Sequence, residues 1–132
     1  EYMLMLINKE MPVAPPLKHG IVDVRDVAKI HIDALENDES IGKRVIITEN
    51  TYWVRELSEM LNKHGHKAPT FTPPVFLVKF LANFDKTIKP VKPLLGVDIS
   101  FNTEVAKSVL KYDPIPIEKT IEDTCNFLRT YK

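Results

Sequence analysis

Few residues in this chain are able to do chemistry, and their spacing limits what they can do. His64-Gly65-His66 sets two imidazoles two residues apart, which could begin a metal site, but no third ligand follows at a recognisable spacing. Lys63 and Lys67 flank the pair and repel a cation, so the reading favoured by charge is solvated histidines at a helix end. His31 adjoins an apolar helical stripe and reads as a partly buried structural histidine before it reads as a general base. Cys125 occupies an apolar helix position, where inert packing is simpler than a reactive thiol. Asp23, Arg25 and Asp26 form the densest cluster. Asp26 reads as a helix N-cap and Arg25 as a partner for either carboxylate, with a catalytic carboxylate dyad as the alternative. Lys86, Lys89 and Lys92 alternate with apolar residues and proline, the pattern of a solvated basic edge or of a seat for a phosphate-bearing ligand.

Two further chemistries leave rigid signatures, and both are missing. A dinucleotide site needs a glycine-rich turn between strand and helix, where bare backbone N–H groups approach the pyrophosphate; Gly20, Gly42, Gly65 and Gly96 each stand alone. Proton delivery to a carbonyl oxygen as hydride arrives uses a tyrosine acidified by a lysine four residues on. Tyr2, Tyr52 and Tyr112 are followed at that spacing by Leu6, Glu56 and Pro116, and Tyr131 lies too near the end. No catalytic, cofactor-binding or metal-binding residue is therefore assigned within the chain.

The elements that would position these residues belong to one soluble domain spanning 1–132. The chain is 44% hydrophobic and 27% charged, which argues against disorder. Eighteen basic residues balance eighteen acidic ones, so no field for nucleic acid or an anionic membrane is expected. The apolar stretches Tyr2 to Ile7 and Val75 to Val78 fall far short of the ~20 residues of a membrane span. A single cysteine excludes an internal disulfide and fits a reducing cytoplasmic compartment. The chain opens on Glu1 without a signal peptide and reads as a piece of something longer.

Ten prolines, mostly in pairs, divide the sequence into five segments. Tyr2 to Ile7 suits a buried strand or the end of a helix begun upstream. Ile21 to Val24 predicts a short strand, followed by a helix capped by Asp26 with Val27, Ile30, Ala34 and Leu35 on its apolar face. Arg44 to Thr48 predicts a strand covered on both faces, and strand, helix and strand in this order predict a right-handed crossover. Asn50 or Thr51 caps a second helix carrying Trp53, Val54, Leu57, Met60 and Leu61, with Gly65 at its C′ position. Pro73 and Pro74 open a third, Val75 to Phe84, apolar almost all round. A fourth, capped by Asn102 or Thr103, runs through Leu110, and a fifth starts with Pro116 at N1 and carries Ile117, Ile121, Thr124, Cys125 and Leu128.

The stretch Gly20-Ile21-Val22-Asp23-Val24-Arg25-Asp26-Val27-Ala28-Lys29-Ile30-His31-Ile32-Asp33-Ala34-Leu35 resembles the segment after the catalytic half of extended short-chain dehydrogenases, specifically the dihydroflavonol-4-reductase-like group. The resemblance continues in order. Gly42 to Ile47 is similar to that group's late sheet strand, and Tyr52 to Leu57 to the helix after it. Leu94-Leu95-Gly96, Val105 to Leu110 and Pro114 to Ile121 resemble its closing region, with Tyr112 where a tryptophan is common and Val105 in place of a frequent lysine.

This resemblance implies an α/β fold: the C-terminal substrate-binding lobe of an extended Rossmann-type reductase, mostly helical, with the last strand of an incomplete NAD(P)-binding sheet. The parent is then an NAD(P)H-dependent carbonyl reductase acting on a small-molecule carbonyl substrate. NADP or NAD belongs to the parent, and none is expected on this chain alone, which should be inactive. Phe76, Phe80 and Phe84 are the candidate substrate-pocket residues, because an apolar face without an internal partner can cover a ligand. Packing inside the lobe is their simpler use. The alternatives are a stand-alone binding module that forms a homodimer through the exposed strand edge around Ile46, or part of a related epimerase or 3-beta-hydroxysteroid-dehydrogenase-like enzyme.

Overall fold

In a computed structural model, residues 2–85 and 88–130 are described. The chain divides into two compact units, Glu1–His19 with Tyr52–Ile99 and Gly20–Thr51 with Ser100–Lys132. Two short strands, β1 (Lys18–Ile21) and β2 (Asn50–Trp53), pair in a two-stranded sheet. The bonds beside them, Glu49 N–H to Ile21 C=O and Val54 N–H to Leu17 C=O, run in opposite chain order, so the pair is antiparallel. The expected right-handed crossover is thereby corrected, because that rule applies only between parallel strands.

Among its described residues the first unit holds the helices α1 (Tyr2–Ile7), α3 (Val54–Lys63) and α4 (Val75–Leu81), with a 3-10 turn at Lys89–Leu94. Tyr2 to Ile7 is a helix, the second of its two readings, with Leu6 fully buried. The unit's buried apolar residues include Leu6, Leu17, Val54, Leu57, Leu61, Val78, Ala82 and Leu95. α3 starts later than Asn50 or Thr51, because Tyr52 and Trp53 extend into β2. Glu56 then reaches back to accept the Trp53 N–H at 2.7 Å. At the other end Gly65 sits at C′ with φ 85°, the His66 N–H bonding Leu61 C=O and the Gly65 N–H bonding Asn62 C=O. This is the predicted glycine stop, in Schellman form.

The second unit contains α2 (Val24–Glu36), a 3-10 turn at Asp38–Ser40, α5 (Glu104–Leu110) and α6 (Ile117–Thr130). α2 starts earlier than expected. Its N-cap is Asp23, whose carboxylate accepts the Arg25 N–H at 2.9 Å, and Asp26 lies inside the first turn. The stretch from Ile21 to Val24 is a strand only as far as Ile21. A core of Ile30, Ala106, Leu110 and Tyr112 is joined by Ala34, Val45, Ile47 and Val109. Leu35, expected on the buried face, is 87% exposed. Val45 and Ile47 pack on that core, yet residues 43–48 form no strand: among the described residues they make no ladder hydrogen bond, and Thr48 reaches Ile21 C=O through its hydroxyl instead. The N-cap of α5 is Thr103, which makes no side-chain cap bond; Asn102 before it accepts the Glu104 N–H through Oδ1 at 2.8 Å, and Lys111 ends the helix with φ 50°. α6 follows Pro116 and buries Ile117, Ile121 and Cys125 as expected; it also buries Thr120, while Thr124 and Leu128 of the expected face are half-buried.

Candidate functional site

In the first unit a cleft of about 550 Å³ is walled by Pro15, Pro16, Trp53, Val75 and Gly96, with Arg55, Glu56 and Glu59 at its rim. Gly96 holds φ +75° and donates its N–H to Pro16 C=O at 2.7 Å. A Cβ there would stand 2.9 Å from the Val75 side chain, so glycine is needed for this wall. Arg55 Nε pairs with Glu59 across one helical turn at 2.8 Å, while the Lys18 ammonium lies 5.7 Å from the Trp53 ring centroid. Nothing here is a nucleophile or a poised acid; the cleft can hold an apolar group beside a charged rim.

Phe76 and Phe80 stand on α4, while Phe84 lies past its C-terminus; they are 76%, 60% and 76% exposed. The Phe80 and Phe84 rings meet edge to face, centroids 5.5 Å apart. Val78 and Ala82 take the inner face of this segment, so its apolar character on all sides reflects one buried face and one bare one. The cleft takes Val75 from the same helix and none of the three phenylalanines.

Asp23 anchors the polar centre of the second unit. Arg25 grips it through Nε at 2.9 Å and Nη2 at 2.7 Å, and the Thr120 hydroxyl of α6 donates to it at 2.9 Å. Arg25 also reaches Asp123 at 2.9 Å, and Lys119 bonds the same carboxylate at 2.7 Å. The Arg25 hydrogen bonds outweigh the cost of burial and hold the Asp23 carboxyl well below the usual carboxylate range. Asp26 accepts the Ile115 N–H at 2.9 Å. Each carboxylate is therefore committed to a backbone or side-chain donor, and the dyad alternative falls.

His31 is exposed rather than partly buried, its Nδ1 2.7 Å from Val27 C=O. His64 and His66 are half-buried rather than solvated, and no group of metal-ligating side chains occurs among the described residues. Cys125 is buried, as its apolar helix position predicts, and burial pushes its thiol pKa up. Lys86 lies outside the described residues; Lys89 is exposed and Lys92 donates to Asn83 Oδ1 at 2.6 Å. Sequence reasoning missed the Tyr2–His19 contact, with ring centroids 4.9 Å apart. Burial pushes the Tyr2 phenol up to about 12 and lowers the His19 pKa, so burial favours the neutral form of both rings.

The described residues do not fit a dinucleotide. Each strand-to-helix junction has its helix N-terminus occupied by a carboxylate, Asp23 at α2 and Glu56 at α3, where a pyrophosphate would have to sit.

No protein-family model matches the sequence. Over 60 residues, 46% of this chain and 17% of the relative, it is 41% identical to the NADPH-dependent methylglyoxal reductase Gre2 of Saccharomyces cerevisiae. The solved yeast methylglyoxal/isovaleraldehyde reductase Gre2 complexed with NADPH matches 97% of the chain with 40% of its own length, TM-score 0.63 and 25% identity. Gox2253 matches 98% with 43% of its length, TM-score 0.76 and 22% identity. Gre2 of Candida albicans matches 96% with 37%, TM-score 0.61 and 23% identity. The chain thus spans about two-fifths of these structures. It is homologous to Gre2 over the matched stretch, and its fold, mostly helical with a short two-stranded sheet, is that of one lobe of such Rossmann-type reductases.

Proposed function

We propose that this chain is the substrate-binding C-terminal portion of an NAD(P)H-dependent carbonyl reductase of the dihydroflavonol-4-reductase-like type. One observation carries the reading: nearly the whole chain superposes on two-fifths of a reductase solved with NADPH. The remaining part of such an enzyme would hold the cofactor, since both helix N-termini that follow strands here are already neutralised by carboxylates. This lobe's own contribution is to bind and orient a small carbonyl compound and to shield it from water. Phe76, Phe80 and Phe84 form an apolar wall suited to that task once a facing surface closes over them. Proton delivery and hydride donation lie outside these 132 residues.

The isolated chain is expected to consume no NADPH with methylglyoxal or isovaleraldehyde, and to show no cofactor binding by calorimetry. A longer protein containing it is expected to bind the nicotinamide cofactor and to reduce aldehydes or ketones. Failure of that longer protein to do either sinks the reading.

A further inference from the structure

The cleft of about 550 Å³ in the first unit draws every wall from that unit, and its size is that of a small-molecule site. Backbone bonds fix the walls. Ala14 N–H meets Phe71 C=O at 2.9 Å, Val54 N–H meets Leu17 C=O at 3.0 Å and Gly96 N–H meets Pro16 C=O at 2.7 Å, which clamps the Pro15-Pro16 segment against three other parts of the chain. Little of this backbone is left to hold an anion. Pro15 and Pro16 carry no N–H, that of Gly96 is spent on Pro16, and that of Trp53 is spent on Glu56 at 2.7 Å. At the rim Glu56 and Glu59 outnumber Arg55, whose Nε is held by Glu59 at 2.8 Å, so the local charge is negative. Thr72 completes the lining, and its buried hydroxyl has no hydrogen-bond partner among the described residues.

We propose that this cleft binds a neutral, ring-bearing small molecule that carries an oxygen acceptor. The ring lies against Trp53 and the two prolines, and a turn about the Thr72 Cα–Cβ bond brings its hydroxyl to the ligand oxygen, relieving the cost of leaving it unpaired. Carboxylates and phosphates are disfavoured by the two glutamates and by the shortage of backbone donors. The site is separate from Phe76, Phe80 and Phe84, which take no part in its lining and need a facing surface before they enclose anything. It stands without the reductase reading.

Trp53 is the chain's single tryptophan, so its indole N–H resonance reports directly on the cleft. Titrating the 132-residue chain with acetophenone should shift that resonance saturably, with a Kd on the order of a millimolar for so small a ligand. Benzoate, the same ring bearing a charge, should bind roughly tenfold more weakly or less. Thr72→Val should weaken acetophenone roughly two- to tenfold and leave toluene, which has no oxygen, unchanged. The hydroxyl it removes is unpaired, so this variant should fold as the unaltered chain does. Val75→Phe fills the cleft and should abolish the shift, whereas Phe76→Ser with Phe84→Ser should leave it intact. The benzoate and Thr72→Val comparisons decide the matter even if Val75→Phe fails to fold. A flat titration, benzoate binding as tightly as acetophenone, an unchanged acetophenone affinity in Thr72→Val, or loss of the shift in the phenylalanine double variant overturns the proposal. No cofactor or turnover enters these measurements, so they leave the reductase reading untouched.

Discussion

Asp23 joins α2 to α6 by capping the one and accepting the Thr120 hydroxyl of the other. Asp23→Ala removes the cap and strands both the Arg25 grip and Thr120, an expected loss of about 2–3 kcal/mol in chemical denaturation. Because its folded pKa is depressed, the stability it supplies is present above its unfolded pKa near ~3.9 and fades as pH falls below that. The acid limb of the stability curve should therefore flatten in Asp23→Ala. Tyr112 gives the opposite limb. Burial first, then the nearby Asp26, Glu49 and Asp23 charges, push its phenol up to about 12. The stability tied to the neutral phenol is complete below an unfolded pKa of ~10 and lost as pH rises from there through about 12. Its buried hydroxyl has no hydrogen-bond partner, so Tyr112→Phe should raise thermal stability, by up to about 1 kcal/mol, and weaken the alkaline transition.

At the scale of elements, α3 and α4 show how a helix is ended and how it is left bare. Gly65 at φ 85° closes α3, and Gly65→Ala is expected to cost about 1 kcal/mol by the strain of a left-handed Cβ. Replacing Phe76 and Phe84 with Ser should change stability by under about 1 kcal/mol, since both side chains are largely in solvent and only the edge contact of Phe84 with Phe80 is lost. If these rings instead packed within the lobe, the same pair would cost several times more on denaturation. The helices of this chain were legible from its pattern because caps, prolines and stripes are local: Pro116 before α6, Gly65 after α3 and the Val54–Leu57–Leu61 face all fell as expected. The strands were not. Arg44 to Thr48 has every strand propensity and no ladder, whereas Asn50–Trp53, with an asparagine and no alternating face, is a strand because Lys18–Ile21 lies beside it.

At the scale of the whole molecule, each unit shows apolar surface that its own residues leave uncovered: Val24, Ile32 and Leu35 on α2 at 76%, 56% and 87% exposure, and the phenylalanines of α4. Apolar surface of this kind is free to take up an apolar probe. The isolated chain should bind a hydrophobic dye such as ANS while keeping a cooperative thermal transition; a dye-silent folded chain would show these faces to be closed. By itself the sequence determined the absence of a dinucleotide fingerprint, of a Tyr–Lys pair and of a disulfide, because each depends on residue types at fixed spacing, and it determined the helical stripes, because a helix is a local object. The carboxylate caps belong to another class. That Asp23 and not Asp26 closes α2, that His31 and Leu35 face solvent, and that the two paired strands run antiparallel were decided only in three dimensions. Such outcomes hang on which distant segment, α6 for Asp23 or β1 for β2, arrives to take the hydrogen bond, and spacing along the chain does not encode that arrival.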